Sequence, residues 1–61
     1  LEGVVDVTVP ARGEGRGRVR VVVDERMRYF NAVSDGDAIT TQGRIRVVRA
    51  GPENTLVVTA L

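Results

Sequence analysis

The sequence predicts an all-β fold, a small Greek-key barrel of five short strands. Three observations carry this expectation. Apolar residues, half of them valine, alternate with polar ones at period two in nearly every segment. No stretch keeps the three-and-four spacing of an amphipathic helix, so no long helix is expected. Clusters of Gly, Asp, Asn, Ser and Pro break the chain at short intervals, as turns between strands do. With 61 residues the chain, 1–61, makes a single domain. A domain of this size buries only about 60% of the surface its unfolded form exposes, so it has little stability to spare. Closing the sheet on itself removes the free edges that a valine-rich sheet would otherwise offer to other chains.

The first strand is predicted from Gly3 to Val9, with Val5, Val7 and Val9 on one face, Asp6 and Thr8 on the other, and Pro10 closing it. In the second, Arg16 to Asp24, the arginines at 16, 18 and 20 alternate with Val19, Val21 and Val23. Successive side chains of a strand point to opposite faces, so the arginines form one solvated row and the valines one core row. Asp24-Glu25 reads as a tight hairpin turn into a third strand, Arg26 to Val33, with Phe30 and Ala32 inward and Arg28 leaving the core at the strand's start. Ser34-Asp35-Gly36-Asp37 is turn chemistry, and the connection through Gly43 is too short for a long helix.

The fourth strand, Arg44 to Val48, places Ile45 and Val47 inward against Arg44 and Arg46, and the phase breaks at Val48-Arg49 as a bulge would break it. Ala50 to Asn54 makes the next turn, and Thr55 to Thr59 the last strand, with Leu56 and Val58 inward. Five strands with one substantial connection point to a partly open Greek-key barrel of the OB type, with an SH3-like barrel as the rival.

All nine cations are arginine, set against eight acids, for a net charge of +1. Such balance argues against a dedicated polyanion binder while leaving room for a local basic patch. There is no cysteine and no histidine, so a disulfide framework and the usual zinc ligand sets are excluded, and no cofactor is expected. No apolar run approaches the roughly 20 residues a spanning helix needs, and no leader pattern is present, so this piece is expected to be soluble. The chain opens at Leu1 rather than methionine, which reads as an excised fragment, with Leu1-Glu2 as linker or cloning remnant.

Gly13, Gly15 and Gly17 complete neither the dinucleotide fingerprint nor a P-loop, because no helix and no lysine follow. A flexible loop feeding a strand explains them. Asp35 and Asp37 lack the further ligands of a calcium loop and fit a turn better than acid–base work. Hydroxyls occur at Tyr29, Ser34, Thr40 and Thr41, but no histidine can activate one, so the domain is not expected to be an enzyme. The candidate interaction surface is the arginine set Arg16, Arg18, Arg20, Arg44 and Arg46. An OB barrel binds single strands with a basic groove and stacking aromatics. Here Tyr29 and Phe30, adjacent in a strand, offer at most one such platform. Asp6, Glu14 and Asp24 are within reach of Arg16, Arg18 or Arg20 as cross-strand ion pairs.

The runs Gly17-Arg18-Val19-Arg20-Val21, Tyr29-Phe30-Asn31-Ala32-Val33-Ser34, Ile39, Gly43-Arg44-Ile45-Arg46-Val47-Val48 and Leu56-Val57-Val58 resemble the C-terminal soluble domain of the NfeD-like family. The resemblance spans residues 13–59 and its elements are short. It implies a five-stranded OB-like barrel at the end of a membrane-anchored parent, on the cytoplasmic side. It also implies partners of the stomatin, prohibitin or flotillin type, or self-assembly into a homo-oligomer. The family's longer members carry a serine-protease domain, and nothing in these residues resembles it. The matched positions build the barrel, with Phe30 and Ala32 packing, Gly43 turning, and Ile45, Val47, Leu56 and Val58 in the core. The function expected is therefore noncatalytic protein interaction, with single-stranded nucleic-acid binding as the alternative.

Overall fold

The computed structural model describes residues 1–51 and 53–61. Five strands form in chain order, β1 (Glu2–Val7), β2 (Gly17–Val23), β3 (Arg26–Ser34), β4 (Arg44–Ala50) and β5 (Thr55–Ala60), with no helix among the described residues. They close fully into a barrel in the order β1-β2-β3-β5-β4. Antiparallel pairing joins β1 to β2, β2 to β3, β1 to β4 and β4 to β5, while β3 and β5 run parallel. β4 returns beside β1, so the spatial order β4-β1-β2-β3 is a Greek key, and β5 seals the remaining gap. This is the OB-like barrel that the alternation predicts, closed rather than partly open.

The core is aliphatic: Val5, Val9, Val19, Val21, Ala32, Ile39, Ile45 and Val58 are buried, with Val23, Phe30, Val47 and Leu56 packed against them. Phe30 lies opposite Val19 and Ala32 opposite Gly17, so the third strand faces inward as predicted. Gly17 itself is buried because the chain crosses it closely. A Cβ there would fall on the carbonyl oxygens of Val7 and Thr8 and lie 2.7 Å from the Val9 Cα.

The β2–β3 hairpin turns on Asp24 and Glu25, whose φ values of 51° and 64° are those of a type I′ turn. That geometry matches the twist of the flanking strands, although neither residue is the Asn or Gly that adopts it at least cost. The connection 35–43 is stitched back to β1 and to Val9 just beyond it. Val9 and Ile39 exchange backbone bonds of 2.9 and 2.8 Å, and the Gln42 N–H donates to the Val5 oxygen at 2.7 Å. This pairing carries Ile39 into the core.

One inward assignment is corrected. Val7 is 51% exposed, because the β1–β2 register shifts between Val5 and Val7: Val5 pairs with Val19, but Val7 rather than Asp6 pairs with Arg18. The bulge turns Val7 to the outer face, β1 ends there, and Val9 regains the core only after the chain has left the sheet. The predicted phase break in β4 is present as a shift between Val47 and Arg49.

Candidate functional site

The barrel wall and one of its ends present two different surfaces. On the wall, register aligns Arg44, Val4, Arg20 and Tyr29 across β4, β1, β2 and β3, each pair directly opposed. On the same outer face Val22 opposes Met27. The two rows bound a groove of about 240 Å³, with Val4, Val22, Met27 and Leu61 as its apolar lining and Glu2, Arg20 and Arg44 as its charged lining. Val22, Met27 and Leu61 are 60%, 57% and 55% exposed, and Tyr29 beside them 51%. Strand alternation, which makes one face core, leaves the other face to the sequence; here that face carries arginines and, among them, an apolar patch of Val4, Val22 and Met27 where soluble sheets are usually polar.

At the other surface, residues 8–16 form a long loop between β1 and β2. Gly13 and Gly15, at φ of 81° and 134°, let it double back. The loop is anchored by a bond from the Arg12 N–H to the Gly36 oxygen at 2.8 Å. Gly36 in turn belongs to a turn organised by Ser34, whose hydroxyl accepts from the Gly36 N–H at 3.0 Å and donates to the Asp37 oxygen at 2.6 Å. Asp35 and Asp37 are thus turn residues around a buried serine, a role for Ser34 that alternation alone does not reveal. Between loop and barrel lies an open cleft of about 640 Å³, lined by Arg12, Arg16 and Arg49 and floored by Val33 and Val57.

The five predicted arginines are not one row. Arg18, Arg20, Arg44 and Arg46 stand on the outer wall, all exposed. Arg16 precedes β2 and lines the cleft, and it also lines a shallow hollow with Arg18, Val7 and Asn31. The direct cross-strand neighbours of Arg18 are Val7 and Asn31, and those of Arg20 are Val4 and Tyr29, so neither arginine opposes an acid. The acid that does sit opposite an arginine is Glu2, across from Arg46. Of the two aromatics, Tyr29 is the outer one.

Arg12 and Arg49 were not singled out by sequence reasoning. Arg12 lies in a loop with no periodicity to read, and Arg49 owes its place opposite Val57 to the β4 bulge. A signal for Arg49 was nevertheless present in the broken phase at Val48-Arg49, since bulges re-aim side chains next to sites. Among the described residues no three acidic side chains gather as metal ligands would, and no helix is long and apolar enough to cross a membrane. Comparison with protein-family models, curated proteins and solved structures finds no match to this chain.

Proposed function

We propose that the barrel is a noncatalytic protein-interaction domain whose contact surface is the outer groove of β1, β2 and β3. The observation that carries this reading is what the groove is made of. Methionine, tyrosine and arginine are the residue types enriched in interface cores and anchors; Val22, Met27, Leu61 and Arg20 line the groove, and exposed Tyr29 stands beside it, directly opposite Arg20. A contiguous apolar face is a liability on a free monomer and serves a partner when it is covered. The groove's two arginines would set orientation and encounter rate more than affinity. The NfeD-like resemblance supports a more specific form of the reading: the barrel is the soluble, cytoplasmic end of a membrane-anchored parent. There it assembles with a stomatin-, prohibitin- or flotillin-type partner, or with itself.

The test is a titration of the isotope-labelled chain with the soluble domain of such a partner, and separately with itself by raising its concentration. Saturable NMR shifts centred on Val4, Val22 and Met27, abolished by Val22→Gln with Met27→Gln, are expected. Shifts centred elsewhere, or none in either titration, would remove the groove from consideration.

A second reading has one observation in its favour. Exposed Tyr29 directly opposes Arg20, with Arg18 on the same outer face, which is a minimal stacking platform with cations beside it. Tyr29 is the one tyrosine and the chain has no tryptophan, so its intrinsic fluorescence reports on that platform. Oligothymidylate that quenches it, with affinity falling steeply as salt rises and lost on changing Arg16, Arg18 and Arg20 to Gln, would establish nucleic-acid binding in its place.

A further inference from the structure

Two segments that are distant in sequence bring three arginines to the cleft, and each does so by departing from regular β structure. Arg12 and Arg16 flank the glycine turn of the β1–β2 loop, and Arg49 is aimed by the β4 bulge. Beneath them Val33 and Val57 are paired across the parallel β3–β5 ladder, and Arg49 is the next residue across, opposite Val57 on β4. On the far side Arg16 adjoins Val33. The floor is therefore a short apolar pair, Val33 and Val57, with Arg49 across from one end, Arg16 adjoining the other, and Arg12 also on the lining. Asp35 is the one carboxylate on the lining, and Glu53 adjoins Arg16 in a neighbouring hollow, so the cleft keeps a positive balance.

The lining has no aromatic residue, which removes the stacking platform a single-stranded nucleic acid would use. Its valines instead offer van der Waals contact to an aliphatic side chain, and its arginines offer forked donors that match carboxylates. Spacing narrows the ligand further. From the β2 edge to β4 are three strand spacings, about 14 Å along the surface at ~4.8 Å each. An extended peptide covers about 13 Å in four residues, with every second side chain on one face.

We propose that this cleft is a second contact site, distinct from the wall groove, that takes an extended acidic segment of a protein partner in the pattern acid-x-aliphatic-x-acid. The aliphatic residue sits on Val33 and Val57, and the two carboxylates reach Arg16 and Arg49, with Arg12 closing over the segment. The inference rests on reading the barrel as an interaction domain and names the chemistry of a partner that domain would hold.

The test uses the 61-residue chain and a fluorescein-labelled peptide containing Glu-Ser-Val-Ser-Glu, followed by anisotropy at low and near-physiological salt. The expected result is saturable binding that weakens about tenfold or more, as loss of charge-assisted hydrogen bonds implies, when Arg12, Arg16 and Arg49 are all changed to Gln. The arginines are exposed, so an unchanged circular dichroism spectrum is expected for that variant. Val22→Gln with Met27→Gln, which alters only the groove, should leave the peptide affinity as it was. Equal binding of Gln-Ser-Val-Ser-Gln, or of Glu-Ser-Ser-Ser-Glu, would overturn the proposal, as would no binding or binding that survives the triple variant. Oligothymidylate that binds more tightly than the peptide and competes with it would assign the cleft to nucleic acid instead. Failure here with the groove titration still positive would leave the interaction-domain reading standing and remove only the cleft.

Discussion

The wall groove and the cleft both use arginine, but the chain delivers it to them by different means. In the groove, Arg20 and Arg44 stand where strict alternation places them, directly across from Val4 on a regular stretch of sheet. In the cleft, Arg12, Arg16 and Arg49 arrive through a loop, a strand's approach and a bulge. The groove is therefore as rigid as the strand pairing below it, whereas the cleft depends on the bond from the Arg12 N–H to the Gly36 oxygen and on the two Ser34 bonds that shape the turn 35–37. Regular sheet supplies a flat, durable contact surface; departures from it supply convergence, which a flat face cannot.

The change expected to break both surfaces together is Gly17→Ala. The added methyl collides with backbone rather than with a movable side chain, so the β1–β2 loop must be displaced from the barrel. A loss of about 3 kcal/mol or more, enough to unfold a domain this small, should appear in chemical denaturation. A mildly destabilised, native-like variant would show that the loop shifts freely and that the cleft is not preorganised. Ile45→Ala removes a fully buried side chain from the core beneath β4 and should cost about 2–4 kcal/mol by the same measurement, without favouring either surface.

Ser34→Ala separates the two regions. It removes one hydrogen bond to the Asp37 oxygen and one from the Gly36 N–H, at a cost of about 1–2 kcal/mol. Because Gly36 also accepts from Arg12, amide exchange at Arg12 should accelerate while exchange in β2 and β3 around the groove changes only with global stability. Equal acceleration in both regions would mean that the cleft is no softer than the wall. The hairpin offers the opposite sign. Replacing Asp24-Glu25 by Asn-Gly supplies the residues that a type I′ turn prefers and should raise stability by about 0.5–1 kcal/mol in thermal melts. Smallest of all, Val22→Gln with Met27→Gln should move stability by less than about 0.5 kcal/mol per site, since both side chains already face solvent. A large loss there would mean the groove is part of the core rather than a contact surface.

Much of the fold was legible because period-two alternation is a local signal. β2 shows it most clearly, with Val19 and Val21 buried between exposed Arg18 and Arg20 as the spacing alone required. The Asp24-Glu25 turn, the inward set of β4 and the phase break after Val47 were legible for the same reason. Val7 was not. Its alternation with Val5 is intact in sequence, and only the extra residue at the β1–β2 bulge, imposed by pairing with β2, turns it outward. Of the candidate surface, the wall arginines were readable and the cleft was not, since Arg12 and Arg16 lie in a loop whose path depends on a bond to Gly36, far along the chain.

The sequence by itself determined the class of this protein: an all-β domain of five strands, with a valine core, no histidine or cysteine chemistry, and arginines on the outer faces of β2 and β4. Those features follow from residue type and nearest-neighbour spacing, which strand geometry converts directly into faces. Only the tertiary structure decided that the barrel closes, that β3 meets β5 in parallel, and that Arg16 joins Arg12 and Arg49 on the cleft lining while Arg20 lines the wall groove. Convergence of that kind is set by which strands pair and where their registers slip, and both are long-range properties that a local pattern does not encode.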